Sequence, residues 1–225
     1  MWKKSWWIIE LFIIIGVFAT ILQIILFIGS TNPKNLIFGQ VINIIVYFAF
    51  LRFAIFKIKE ESKTDNHTLQ YFLKNKFKLK DILSAILLFV LGQLTYFFIM
   101  KIGFVHVFGI HGLPQICHLT TIQSWIMISL IILFIPIVAF SEELYFRCYL
   151  FEIQFASFKN YTWIINGFSW SIYHIFTPTN FLALLPMCLM YSYVYQKRRN
   201  VWITIIAHLI GNIIAFNPLL KSLIP

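Results

Sequence analysis

Residues 140–147 read Phe140-Ser141-Glu142-Glu143-Leu144-Tyr145-Phe146-Arg147, two adjacent carboxylates and an arginine set in an apolar sequence. The run Ile122–Phe140 before them holds no charged residue, and Tyr149, Leu150 and Phe151 carry the apolar character past them. At membrane depth each such charge costs roughly 2.5–3.5 kcal/mol on insertion scales unless it is paired or faces water. A helix over this segment puts Glu143 and Arg147 at i, i+4, with the acid on the favourable N-terminal side. Glu142 is turned about 100° from its neighbour and has no partner on its own helix. It is the carboxylate left for chemistry.

The surroundings decide the fold class. The chain has 225 residues, 60% hydrophobic, 19% aromatic and only 12% charged, with mean hydropathy +0.83. Soluble domains average about 45–50% apolar and about 25% charged residues. Too little polar surface remains to coat a globule. The expectation is an all-α polytopic membrane helix bundle, residues 1–225 forming a single integral membrane domain. Cys117, Cys148 and Cys188 show no CxxC spacing and read as free thiols.

Apolar runs place seven spans, near Ser5–Gly29, Leu36–Phe56, Ile82–Met100, Ile122–Phe155, Tyr161–Phe176, Phe181–Tyr195 and Val201–Phe216. An eighth is added if the connector Lys101–Thr121 dips into the membrane. The first run, about 24 residues with Glu10 inside it, is too long for a signal-peptide h-region and lacks a small-x-small cleavage site. Residues Lys57–Lys80 are the most polar stretch, a solvated loop or a short basic interfacial helix on Leu69, Phe72, Leu73 and Phe77. The connector holds His106, His111, His118 and Cys117, at spacings that match no metal-site pattern.

With the N-terminus inside, all of the 18 Lys and Arg except Lys34, Lys101, Lys221 and the intramembrane Arg147 fall on the cytoplasmic side. The net charge of +10 therefore reports orientation against an anionic leaflet and excludes a nucleic-acid partner. Heavy use of Ile, Phe, Lys and Asn points to an AT-rich, bacterial source, and to a multi-pass protein of its cell membrane.

Two other spans carry histidine. Helical rise puts Glu142 and His174 roughly 20 Å from the cytoplasmic ends of their spans, and His208 roughly 12 Å. Asn212 lies one turn beyond His208 on the same face. Segments of alternating direction so bring Glu142, His174, His208 and Asn212 to similar depth. Taken singly, each reads as an interhelical hydrogen bond; the set points to a site.

Glu142-Glu143-x-x-x-Arg147, Trp170-x-x-x-His174 and His208-x-x-x-Asn212 together resemble the three motifs of the CPBP intramembrane proteases. That family, also called Abi, includes the type II CAAX prenyl endopeptidases. The resemblance covers about 122–216, a catalytic-like core, and departs from the usual FxxxH in having Trp170 for Phe. It implies an endopeptidase acting near the cytoplasmic side on a membrane-embedded or prenylated peptide. The same resemblance admits a non-catalytic relative, a bacteriocin-immunity protein or sensor-kinase partner acting by binding.

Peptide hydrolysis needs a base for water, an acid for the leaving amine and donors for the oxyanion. Glu142 and His174 can share a water, while His208 and Asn212 can donate to the oxyanion; the family's proposed roles agree. Glu143, Arg147 and Trp170 are then structural support. Glu142, His174 and His208 would also make a zinc set with an open fourth position, but a metal-free glutamate mechanism is the preferred expectation. There is no HExxH helix. Gly167-Phe168-Ser169-Trp170 echoes the rhomboid GxSG only in part, though Ser169 with His208 would be the dyad if it applied.

Overall fold

The computed structural model describes residues 7–11, 13, 14, 17, 33–64, 77–101, 119–175 and 181–223. Apart from short turns these residues are helical, as a chain must be when no water is at hand to satisfy its backbone groups. The helices are α1 (Pro33–Thr64), α2 (Leu79–Lys101), α3 (Thr121–Glu143), α4 (Phe151–Phe158), α5 (Thr162–Tyr173), α6 (Phe181–Arg198) and α7 (Val201–Leu223). A π-helical segment, Leu144–Leu150, joins α3 to α4 without a break.

Four stretches are long and apolar enough to cross a bilayer: Asn35–Glu60, Leu79–Lys101, Thr121–Tyr173 and Val201–Leu223. The third has 53 residues, far more than the ~20 needed for one crossing, and folds back on itself. The fold-back lies at Lys159, a non-glycine residue at φ 47° that leads a single 3-10 turn, Lys159–Tyr161. Past it α5 returns along α4, with Gln154 Nε2 donating to Ser169 Oγ at 3.2 Å. Helix α6 is shorter, interrupted by Pro186 and ends on Lys197 and Arg198; it falls outside those four. Most of the expected first span lies outside the described residues, as does the connector with His106, His111, Cys117 and His118.

The contacts close into a ring. Helix α1 packs on α3 and the π segment, α3 on α7, α7 on α2, α2 on α6 and α6 on α5. Phe50 meets Tyr145 at 5.1 Å between ring centroids and Lys57 lies over Tyr149, so α1 and α3 run parallel. The α5–α6 contact is close because residue 167 is glycine: a Cβ there would stand 2.7 Å from the Leu189 Cα. Helix α3 starts with a capping box, Thr120 N–H donating to Gln123 Oε1 at 3.0 Å and Gln123 N–H to Thr120 Oγ1 at 3.4 Å. Large apolar side chains such as Leu79, Leu83, Leu94, Phe98, Ile122 and Ile132 point outward. So much exposed apolar surface suits lipid and not water. The chain is a membrane helix bundle.

Several boundaries differ from expectation, and helix α7 runs on to Leu223 and not Phe216. Helix α1 continues past Phe56 to Thr64, because Lys57, Lys59, Glu60 and Glu61 are good helix formers and Lys57 pairs with Glu60 at i, i+3. Most of the Lys57–Lys80 stretch, including Leu69, Phe72 and Leu73, lies outside the described residues. Helix α4 runs to Phe158 and not Phe155. Helix α5 stops at Tyr173, so His174 occupies the turn after it and not the helix: the amides of His174 and Ile175 bond three residues back, to Ser171 and Ile172.

Candidate active site

The C-terminal end of α3 carries Glu142 into the middle of the ring. Its side chain is 1% exposed, whereas His174 and His208 keep 17% and 11% of theirs open. On Oε2 the Trp170 indole N–H donates at 2.9 Å, His174 Nε2 stands 3.6 Å away and His208 Nε2 4.0 Å. On Oε1 the Tyr47 hydroxyl donates at 3.3 Å. The two imidazoles are therefore the open edge of a site whose carboxylate is covered. Glu142, His174 and His208, expected at similar depth, are neighbours: each imidazole comes within 4.0 Å of the carboxylate.

Glu143 points the other way and is held on both oxygens. Arg147 Nε donates to Oε2 at 3.2 Å, the pair that i, i+4 spacing predicts, and His208 Nδ1 meets Oε1 at 3.1 Å. Arg147 also donates from Nη1 to Asn166 Oδ1 and, at 2.9 Å, to Ser192 Oγ. Its guanidinium lies 4.5 Å over the Trp170 ring. Asn166 in turn donates from Nδ2 to the Phe146 carbonyl at 2.8 Å and to Gln154 Oε1 at 3.0 Å. A buried ion pair persists only where its remaining donors and acceptors are met, and this network meets all but Arg147 Nη2. The stack also links the support to the site: Arg147 backs the ring whose N–H serves Glu142.

Glu143 thus does more than sequence reasoning assigned to it. By engaging Nδ1 of His208 it fixes which ring nitrogen faces Glu142, the orienting role carboxylates commonly play toward imidazole. Asn212 lies one turn along α7 from His208, and its Nδ2 is buried with no hydrogen-bond partner among the described residues. A buried amide donor left unmade costs about 1–3 kcal/mol, so such an atom invites a ligand acceptor.

The residues of the expected zinc set, Glu142, His174 and His208, stand together, with the two Nε2 atoms 3.6 and 4.0 Å from Glu142 Oε2. Among the described residues no group of three His, Cys, Asp or Glu side chains is disposed to hold a metal ion. The Ser169–His208 dyad is also absent. Ser169 donates to the Ile165 carbonyl at 2.8 Å and accepts from Gln154, while His208 is turned to the carboxylates. Cys148 and Cys188 are free and buried, as expected.

Sequence reasoning missed Tyr47 and Tyr173, whose hydroxyls lie 3.2 Å apart beside Glu142. Tyr47 sits between Val46 and Phe48 on an apolar helix rich in phenylalanine, and nothing in its spacing separates it from packing aromatics. Tyr173 directly precedes His174, which is the one signal that could have pointed to it.

Residues 122–214 match the family model described as type II CAAX prenyl endopeptidase Rce1-like. No curated protein and no solved structure matches the chain. The matched stretch begins at the start of α3 and ends within α7, so it takes in the carboxylate pair, Trp170, both histidines and Asn212 but leaves out Tyr47. The resemblance read from the three motifs is thus met, over residues 122–214, by the model of the Rce1-like type II CAAX prenyl endopeptidases.

Proposed function

We propose that this protein is an intramembrane endopeptidase that cleaves a membrane-associated or prenylated peptide near the cytoplasmic face, with Glu142 as general base. Glu142 takes a proton from a water held between its carboxylate and His174, and the resulting hydroxide adds to the scissile carbonyl. The oxyanion receives hydrogen bonds from His208 Nε2 and Asn212 Nδ2. Donating from both ring nitrogens, His208 is cationic in this step and balances the oxyanion, while Glu143, paired with Arg147, orients its ring. The tetrahedral intermediate collapses as the amine leaves with the proton returned from Glu142, leaving acid and amine products. The observation that carries this reading is the meeting of Glu142 with His174 and His208, at 3.6 and 4.0 Å, with the unmet donor of Asn212 one turn along α7 from His208.

The N-terminus is proposed to be cytoplasmic, in a bacterial cell membrane. The positive-inside bias supports this. So does the parallel run of α1 and α3, which puts the Lys57–Thr64 and Phe158–Tyr161 ends on one side. Reporter fusions within residues 65–76 should report the cytoplasm; an external signal reverses the orientation.

The deciding experiment is incubation of the purified, lipid-reconstituted protein with a prenylated CAAX peptide. Cleavage is expected, together with its loss in Glu142→Gln at unchanged melting temperature. That variant keeps the shape of the side chain but cannot accept the proton. Cleavage persisting in Glu142→Gln, or none by the unaltered protein across membrane peptide substrates, overturns the reading and leaves function by binding.

A further inference from the structure

Helix α1 lies wholly outside the stretch that matches the endopeptidase family, yet it places one hydroxyl on the central carboxylate. The chemistry of that contact follows from counting protons. A phenol has one O–H to give. The Tyr47 hydroxyl gives it to Glu142 Oε1 at 3.3 Å, an ionised carboxylate having none to offer back. The Tyr173 hydroxyl, 3.2 Å from Tyr47, then donates to the Tyr47 oxygen. A directed chain results, from Tyr173 through Tyr47 to Glu142. Tyr173 is the last residue of α5, and the turn that follows it carries His174. The two hydroxyls therefore tie the carboxylate on α3 to the backbone position from which His174 reaches it.

The geometry explains why the carboxylate needs such a tie. Its side chain could rotate to exchange Oε1 and Oε2, or swing off the imidazoles. Trp170 holds Oε2 at 2.9 Å, and Tyr47 holds the opposite oxygen, so the carboxylate plane is pinned at both ends with Oε2 toward the histidines. The Tyr47 ring is itself clamped edge-on against Phe134 of α3, with centroids 5.2 Å apart at 88°. That contact does not involve the hydroxyl.

We propose that Tyr47 is a positioning residue for the hydrolytic reaction, acting through Glu142, so that α1 completes the active site that the family-matched stretch only begins. This rests on the reading of Glu142 as the base. Tyr47 need not touch substrate: its work is to keep Oε2 within reach of the water shared with His174.

Tyr47→Phe tests this, because it deletes the hydroxyl and keeps the ring against Phe134. In the reconstituted enzyme, kcat should fall about 10- to 100-fold, the penalty expected of a reacting group displaced by about an ångström. KM should stay within about twofold and the melting temperature should not move, since neither substrate contacts nor packing change. Tyr173→Phe should give a smaller fall in kcat in the same direction. A role in packing alone would instead lower the melting temperature and leave kcat intact. Tyr47→Phe turning over at the unaltered rate, or losing stability in step with activity, overturns the proposal.

An infrared difference spectrum against Glu142→Gln supplies a readout independent of turnover. The Glu142 carboxylate bands should shift in Tyr47→Phe, and an unshifted band overturns the proposal even where the variant is poorly stable. The endopeptidase reading fails separately, through Glu142→Gln or an inactive starting protein. In that case a shifted band would retain the Tyr47–Glu142 bond but refute its part in hydrolysis.

Discussion

Glu143 and Arg147 form the buried ion pair on which the rest of the site leans, and removing one of them should be worse than removing both. Their side chains are 1% and 0% exposed, so neither charge can recover hydration in place. In Arg147→Met, Glu143 keeps only the His208 Nδ1 contact. In Glu143→Gln, Arg147 keeps Asn166 and Ser192 but faces no opposing charge. Breaking a buried pair in this way costs about 3–5 kcal/mol, a large part of the ~5–15 kcal/mol that holds a typical fold.

The double variant removes both charges at once. Asn166 and Ser192 are not orphaned by it, since Ser192 Oγ also donates to Asn166 Oδ1 at 3.0 Å. Substituting a buried pair by uncharged side chains is often close to neutral, so the double variant should lose less than the two single losses added together. The coupling expected is about 2–3 kcal/mol, near the upper end for groups in one network. The assay is reversible unfolding in mixed detergent micelles followed by circular dichroism, on the four members of the cycle. Additive losses, within about 0.5 kcal/mol, would refute the reasoning and show that the pair carries no joint stability.

Three further outcomes follow from the same geometry. Asn212→Ala should fold normally, since Nδ2 has no partner to lose, while kcat falls by the equivalent of about 2.7–4 kcal/mol for a lost oxyanion donor; unchanged kcat would remove Asn212 from the site. Gly167→Ala should destabilise by about 1–3 kcal/mol in the same unfolding assay, because its Cβ meets the Leu189 backbone at 2.7 Å and backbone cannot step aside cheaply. A chelator should leave peptide cleavage unchanged; loss that zinc restores would instead place a metal on Glu142, His174 and His208.

The parts of the site legible in the sequence were those that break a local rule. Glu142, Glu143 and Arg147 interrupt an apolar run, and a charge at that depth needs a reason. His174, His208 and Asn212 could be aligned by helical rise alone, because membrane helices are long and nearly antiparallel. The support around them was not legible. Asn166, Ser192 and Gln154 are small or neutral polar residues, each common in membrane helices as a local hydrogen bond, and only the fold reveals that Arg147, Asn166 and Gln154 form one chain. Tyr47 was hidden for a different reason. An aromatic helix gives a tyrosine no contrast, and its hydroxyl acquires meaning from residues 95 and 126 positions away.

The two adjacent glutamates show how position assigns chemistry to identical side chains. Glu143 sits against the guanidinium of Arg147 and the Nδ1 of His208, and its side chain is committed to holding them in place. Glu142 has no guanidinium neighbour among the described residues. Its contacts are a phenol, an indole and two imidazoles, donors that orient a carboxylate without giving it a permanent counter-charge. One turn of helix after the pair, the chain sets Arg147 against the neighbour. The same arginine then stacks on Trp170 and so steadies the indole that holds Glu142. The cation therefore reaches the base through an aromatic ring and not through charge. Arg147→Lys should accordingly be a poor substitute: an ammonium can pair with Glu143, but it lacks the planar fork that also reaches Asn166 and Ser192 and lies flat on Trp170. Activity in Arg147→Lys should fall by more than stability does. If both survive intact, the ion pair alone carries the support and the stack on Trp170 is incidental.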